Sequence, residues 1–121
     1  MNKNREEALR INLERLDTFS KFEENWDQYY AYPFSPQVIE KAKKILETLE
    51  YQPQVFPIPS GKIQFEYDND NGSYIEFEIS DKTDMVFGYK ENAKNKNIGG
   101  ELFRIFTDQL NDYVKDFMLR Y

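Results

Sequence analysis

The chain has 121 residues, 40% of them hydrophobic, with 9 Tyr and 10 Phe, a content that a disordered segment does not carry and that a packed core requires. Its 22 acidic and 16 basic residues leave a net charge of −6, which repels phosphate backbones and argues against direct nucleic-acid binding. Neither His nor Cys occurs, so imidazole bases, Ser-His-Asp relays, thiol nucleophiles, disulfides and thiolate metal sites are excluded.

No apolar run approaches the roughly 20 residues that a bilayer span needs, so no membrane partner is expected. The start, MNKNREEALR, lacks the apolar segment of a signal peptide and reads as helix. The expectation is one cytoplasmic domain over residues 1–121.

Residues 4–22 are the first predicted helix, with Ala8, Leu9, Asn12, Leu13, Leu16 and Phe19 on one side at i, i+3, i+4 spacing. An aromatic connection follows, holding Trp26, Tyr29, Tyr30, Tyr32 and Phe34. Ser35-Pro36 opens the second helix, because Ser caps free N–H groups and Pro at the first helical position gives up a donor the helix leaves unpaired anyway. Val38, Ile39, Ala42, Ile45, Leu46 and Leu49 form its buried stripe, and the helix should stop before Pro53. Val55 and Phe56, bracketed by Pro53, Pro57 and Pro59, predict a short strand, and the prolines place it at a sheet edge.

Lys62 to Ser80, KIQFEYDNDNGSYIEFEIS, reads as a β-hairpin with one apolar and one acidic face. Ile63, Phe65 and Tyr67 alternate with Gln64, Glu66 and Asp68, and Ile75, Phe77 and Ile79 alternate with Tyr74, Glu76 and Glu78, the period of a half-buried strand. Because the inward residues are all odd-numbered, facing pairs must sum to an even number, such as 63 with 79 or 65 with 77. A two-residue Asn71-Gly72 turn breaks that match. A three-residue loop, Asp70-Asn71-Gly72, closes 69 against 73 and puts Gly72 where a left-handed residue is needed.

Met85 to Tyr89 predicts a fourth strand, Lys90 to Asn97 a polar loop, and Gly100 to Leu119 a last helix with Leu102, Phe103, Phe106, Leu110, Tyr113, Val114 and Phe117 on one side. The predicted architecture is α+β: a four-stranded antiparallel meander with three helices packed mainly on one face, in the order ααββββα.

Carboxylates are the chemistry that remains. The hairpin register sets Glu66 opposite Glu76, and Glu78 opposite Gln64, a like-charge pairing on a face turned to solvent. A carboxylate hydrolase needs such a pair enclosed, and nothing in the sequence encloses it. The loop DNDNGS has Gly at the sixth position of a calcium loop, but the first ligand position falls on Tyr67, so it reads as a turn. Gly99-Gly100 reads as a flexible entry to the last helix rather than an anion cradle. No catalytic residue, cofactor or metal ligand is therefore assigned.

Asn25-Trp26-Asp27-Gln28-Tyr29-Tyr30-Ala31, then Ser35-Pro36, then Gly61-Lys62-Ile63-Gln64-Phe65-Glu66-Tyr67 resemble a widespread set of small, mostly uncharacterised bacterial proteins. Their pattern is Asn-Trp-Asp-Gly-Tyr-Gly-Ala, a Ser-Pro helix start, and Gly-Gly-Ile-Gln-hydrophobic-Glu-Trp in a hairpin. The resemblance covers residues 22–80 and implies a shared fold and an association with mobile elements or toxin–antitoxin-like gene pairs; it supplies no assigned catalytic residues to carry over. This chain has Gln28 and Tyr30 where the pattern has glycines, and Tyr67 in place of Trp.

The expected function is a small non-enzymatic protein-binding module, an inhibitor, antitoxin or immunity-like partner. It would present Glu66, Asp68, Tyr74, Glu76 and Glu78 on the hairpin, with Tyr29, Tyr30 and Tyr32 from the aromatic connection, to a protein with a basic surface. An edge strand would offer a route to a homodimer. The alternative is an acidic nucleic-acid mimic that blocks a DNA- or RNA-binding enzyme; a carboxylate hydrolase ranks below both.

Overall fold

The computed structural model describes residues 3–93 and 99–120. Helices α1 (Lys3–Phe19) and α2 (Pro36–Thr48) precede a five-stranded antiparallel sheet of β1 (Gln54–Pro57), β2 (Ile63–Asp68), β3 (Tyr74–Ile79), β4 (Met85–Glu91) and β5 (Glu101–Phe106). The strands lie in chain order; a 3-10 turn (Thr107–Gln109) and helix α3 (Leu110–Arg120) follow.

α2 begins as its sequence dictates: Ser35 Oγ accepts from the Val38 N–H at 3.1 Å and Pro36 takes the first helical position. The whole stripe of Val38, Ile39, Ala42, Ile45, Leu46 and Leu49 is buried. No glycine ends the helix. Instead Arg5 of α1 donates to the Glu47 and Leu49 carbonyls at 2.8 and 3.1 Å, and Gln52 Nε2 donates to those of Leu46 and Leu49. These bonds satisfy carbonyls that a helix end leaves without partners. α1 stops at Phe19, three residues short of the expected Phe22. Asn12, on its apolar stripe, is buried because its amide donates to Gln52 Oε1 and the Pro53 carbonyl.

The hairpin has the expected register, with Ile63 opposite Ile79, Phe65 opposite Phe77 and Tyr67 opposite Ile75. Its three-residue loop is closed by Asn69 N–H to Ser73 O and Gly72 N–H to Asn69 O, both 2.9 Å, and Gly72 has φ +90°. All six odd-numbered side chains are buried, forming the floor of a core covered by the three helices. β1 is the predicted edge strand, and Arg15 of α1 donates to its Val55 carbonyl through Nε (3.1 Å) and Nη2 (2.8 Å).

The sheet has five strands rather than four. Residues 101–106, expected in the last helix, pair along β4 from Met85 opposite Phe106 to Lys90 opposite Glu101. The segment ELFRIF fits either ruler: Leu102, Phe103 and Phe106 continue into Leu110 at helical spacing, while Phe103 and Ile105 alternate with Leu102, Arg104 and Phe106. The strand wins because β4 offers unpaired backbone groups and a hollow. At Gly88 a side chain would stand 2.2 Å from the Phe103 ring, which instead fills that space, stacked on Tyr113 of α3 at 4.9 Å and edge-on to Phe77 at 5.9 Å. Gly99-Gly100 therefore leads into a strand, and Gly100 lies under the Tyr89 ring. Lys90 and Glu91 of the expected polar loop prolong β4, and residues 94–97 of that loop lie outside the described residues.

Candidate functional site

The helices occupy one face of the sheet, and the even-numbered hairpin side chains project from the other. Gln64, Glu66, Tyr74, Glu76 and Glu78 are half-buried there and Asp68 is exposed. Glu66 stands opposite Glu76, Gln64 opposite Glu78 and Asp68 opposite Tyr74. Three carboxylates thus share the middle of the face. Gln64 Nε2 donates to Glu66, Tyr74 Oη donates to Glu76 Oε2 at 3.0 Å, and Lys62 Nζ lies 3.7 Å from Glu78.

Tyrosines frame this row. Burial, then the hydrogen bond and charge of Glu76, then those of Glu66, push the Tyr74 phenol far above the ordinary tyrosine range. Tyr89, its ring 6.4 Å from that of Tyr74, is also raised, by desolvation first and then by Glu91, to which its hydroxyl donates. Tyr67, on the inner face, is raised by burial while donating to the Tyr51 carbonyl at 2.6 Å. Each phenol stays a neutral donor. Since unfolded tyrosine titrates near pH 10, the folded state holds extra protons above that value. The stability these phenols contribute is full below about pH 10 and declines as pH rises toward their folded values. Urea unfolding across the alkaline range should show that decline, and Tyr74→Phe should make it shallower.

The rest of the face is mainly apolar. Along the row from Gln64 and Glu78 the next residues are Phe87 and Arg104; along that from Glu66 and Glu76 they are Tyr89 and Leu102. Phe106 lies opposite Met85. Leu102 is 80% exposed, Phe106 52% and Phe87 46%, and the Arg104 guanidinium lies 4.6 Å from the centre of the Phe87 ring. The helical spacing of residues 100–119 hides Leu102, Arg104 and Phe106 from the sequence-derived surface. The alternation of ELFRIF was the signal that could have found them.

The aromatic connection divides by side chain. Trp26 and Phe34 join Phe19 and Phe22 in a cluster with centroids 5.1–6.2 Å apart, and Trp26 Nε1 donates to the Tyr32 carbonyl. Tyr29, Tyr30 and Tyr32 are exposed, in a loop whose Tyr32 N–H bonds the Pro59 carbonyl. Among the described residues no hydrogen bond, ion pair or ring contact joins these three tyrosines to the carboxylate row, so the structure does not merge the two parts of the predicted surface.

Asn25 and Asp27 hold this loop from within. Asp27 Oδ1 accepts from the Tyr29 and Ala31 N–H groups, and Asn25 Oδ1 from that of Tyr30. Asn25, Gln28 and Tyr30 have φ of 65°, 65° and 67°, so Gln28 and Tyr30 occupy left-handed positions where the resembled pattern has glycine. Glycine there relieves a backbone cost without opening the backbone to a ligand. Gln28→Gly and Tyr30→Gly should each raise stability by about 0.5–1 kcal/mol in urea unfolding, whereas Tyr29→Gly should not. A loss in either of the first two would mean that the loop takes another conformation.

Among the described residues no group of three or more Asp or Glu is placed to hold a metal ion, and no helix is long and apolar enough to cross a membrane. DNDNGS is a hairpin turn: Asn71 Oδ1 accepts from the Ser73 N–H, and Asn69 Nδ2 donates to the Phe117 carbonyl of α3. Glu66 and Glu76, the pair a hydrolase would enclose, stand on the face the helices leave uncovered. Compared with protein-family models, curated proteins and solved structures, the chain matches none.

Proposed function

We propose that the protein is a non-catalytic protein-binding module, acting as an inhibitor, antitoxin or immunity-like partner, and that the uncovered sheet face receives its target. One observation carries this reading: Glu76 and Glu78 stand opposite Tyr89 and Phe87, with Glu66 and Leu102 the next residues outward along the same face. Exposed aromatics next to fixed charge supply anchoring area and orientation for a partner with apolar and basic groups side by side. Tyr29, Tyr30 and Tyr32 form a second contact region if the partner reaches around the sheet end. A nucleic-acid mimic, the alternative reading, would carry its acids in an uninterrupted stripe, and the apolar half of the face fits that poorly.

The test is affinity capture from the native host with wild-type bait and with Glu66→Lys/Glu76→Lys. The double reversal should abolish capture of the specific partner while shifting the unfolding midpoint by only a few degrees, since both side chains are half-exposed. Undiminished capture would overturn the proposal. Competition of that partner by DNA would favour the mimic.

A further inference from the structure

The two edges of the sheet are treated differently. β1 has four residues, is flanked by Pro53 and ends at Pro57, and its Val55 carbonyl is taken by Arg15. Prolines and a covering side chain are the devices that keep an edge from pairing with another chain. β5 has six residues, no proline, and the exposed side chains of Leu102 and Phe106.

Its backbone geometry follows from one hydrogen bond. Thr107 N–H donates to the Asp84 carbonyl at 3.0 Å, and Asp84 opposite Thr107 continues the register of Met85 opposite Phe106. Hydrogen-bonded pairs alternate in an antiparallel ladder, so Ile105, Phe103 and Glu101 bond toward β4. The N–H and C=O groups of Leu102 and Arg104 and the N–H of Phe106 therefore point away from the sheet, and among the described residues none of these has a hydrogen-bond partner; the Phe106 carbonyl, at the N-cap of the 3-10 turn, accepts that turn's first bond.

We infer that this edge pairs antiparallel with β5 of a second copy, about a two-fold axis at Arg104, joining two five-stranded sheets into one of ten strands. Outward-pointing residues must pair with outward-pointing residues, which sets Leu102 opposite Phe106 of the second copy and Phe103 opposite its Ile105. The strand is self-complementary in that register. The Leu102–Phe106 contacts on the outer face and the Phe103–Ile105 contacts on the inner face each join an aliphatic to an aromatic side chain. The two Arg104 residues at the axis need not confront each other, because each guanidinium folds back over its own Phe87. The isologous contact uses both β5 edges, and the guarded β1 edges stop further growth, so assembly closes at the dimer. The two acidic rows then flank a shared apolar strip.

The test needs only the purified full chain, so its result is independent of whether a foreign partner exists. Sedimentation equilibrium from about 10 μM to about 1 mM should show a monomer–dimer equilibrium, the short strand being at the weak end of specific interfaces. Arg104→Pro removes an outward N–H that the β4 ladder does not use, and should weaken dimerisation at least about tenfold while Arg104→Ala, which keeps the N–H, dimerises as the wild type. If Arg104→Pro fails to fold, Leu102→Lys/Phe106→Lys, at two exposed positions, decides instead. A strict monomer up to about 1 mM overturns the inference, even if the β5 edge then accepts an extended segment of another protein. So does a dimer that a folded Arg104→Pro or the lysine pair leaves intact.

Discussion

Phe77→Ala is expected to destabilise the protein by about 3–5 kcal/mol, while Glu76→Ala, one residue earlier on the same strand, changes stability by less than about 1 kcal/mol. Phe77 is fully buried at the centre of the core, with ring contacts to Tyr67 at 6.4 Å, Phe103 at 5.9 Å and Tyr113 at 6.1 Å. Truncation leaves a cavity bounded by two strands and α3, which cannot all collapse into it. Glu76→Ala removes the acceptor of the Tyr74 hydroxyl, but Tyr74 is only half-buried and its hydroxyl can turn to water, and removing one carboxylate relieves the repulsion with Glu66. With total stability of the order of 5–15 kcal/mol, the first variant should unfold at far lower urea than the second. Equal losses at 76 and 77 would sink the assignment of faces on which the proposed binding surface stands.

Gly88→Val should cost about 3 kcal/mol, although valine is the better strand former. A Cβ at 88 would stand 2.2 Å from the Phe103 ring, and that ring is pinned between Phe77 and Tyr113. Relief must come from the far side of the contact. Gly88→Val/Phe103→Ala should therefore lose clearly less than the sum of the two single variants, a coupling of about 1–2 kcal/mol. Additive losses would mean that residues 101–106 do not lie beside β4, and with that the fifth strand and the dimer edge would both fail.

The same pairing explains the composition of the outer face. β2 and β3 alternate apolar with charged residues, as a sheet with one solvated face does. β4 and β5 do not: Phe87, Tyr89, Leu102 and Phe106 project outward beside the carboxylates. Folding of the chain gives no reason to set large apolar side chains there, which is why that half of the face carries the functional proposals.

Local rules sufficed where one pattern had one reading. The Ser35-Pro36 helix start, the stripe of α2, the alternation of 63–79 and the parity argument for a three-residue loop each rest on neighbours within a few residues, and period-two alternation around Gly72 admits a single register. The segment 100–106 was different. Leu102, Phe103 and Phe106 satisfy a helical ruler as well as Phe103 and Ile105 satisfy a strand, so local pattern could not arbitrate. That choice belonged to β4, whose Gly88 leaves room for the Phe103 ring and whose ladder needed a partner. The left-handed residues Gln28 and Tyr30 were equally hidden, since their backbone is held by Asn25 and Asp27 rather than by their own side chains. Sequence alone determined which hairpin residues face inward, because burial of alternate side chains is written at short range. Tertiary packing decided how many strands there are and which apolar groups stay outside, because those outcomes depend on contacts between elements far apart in the chain.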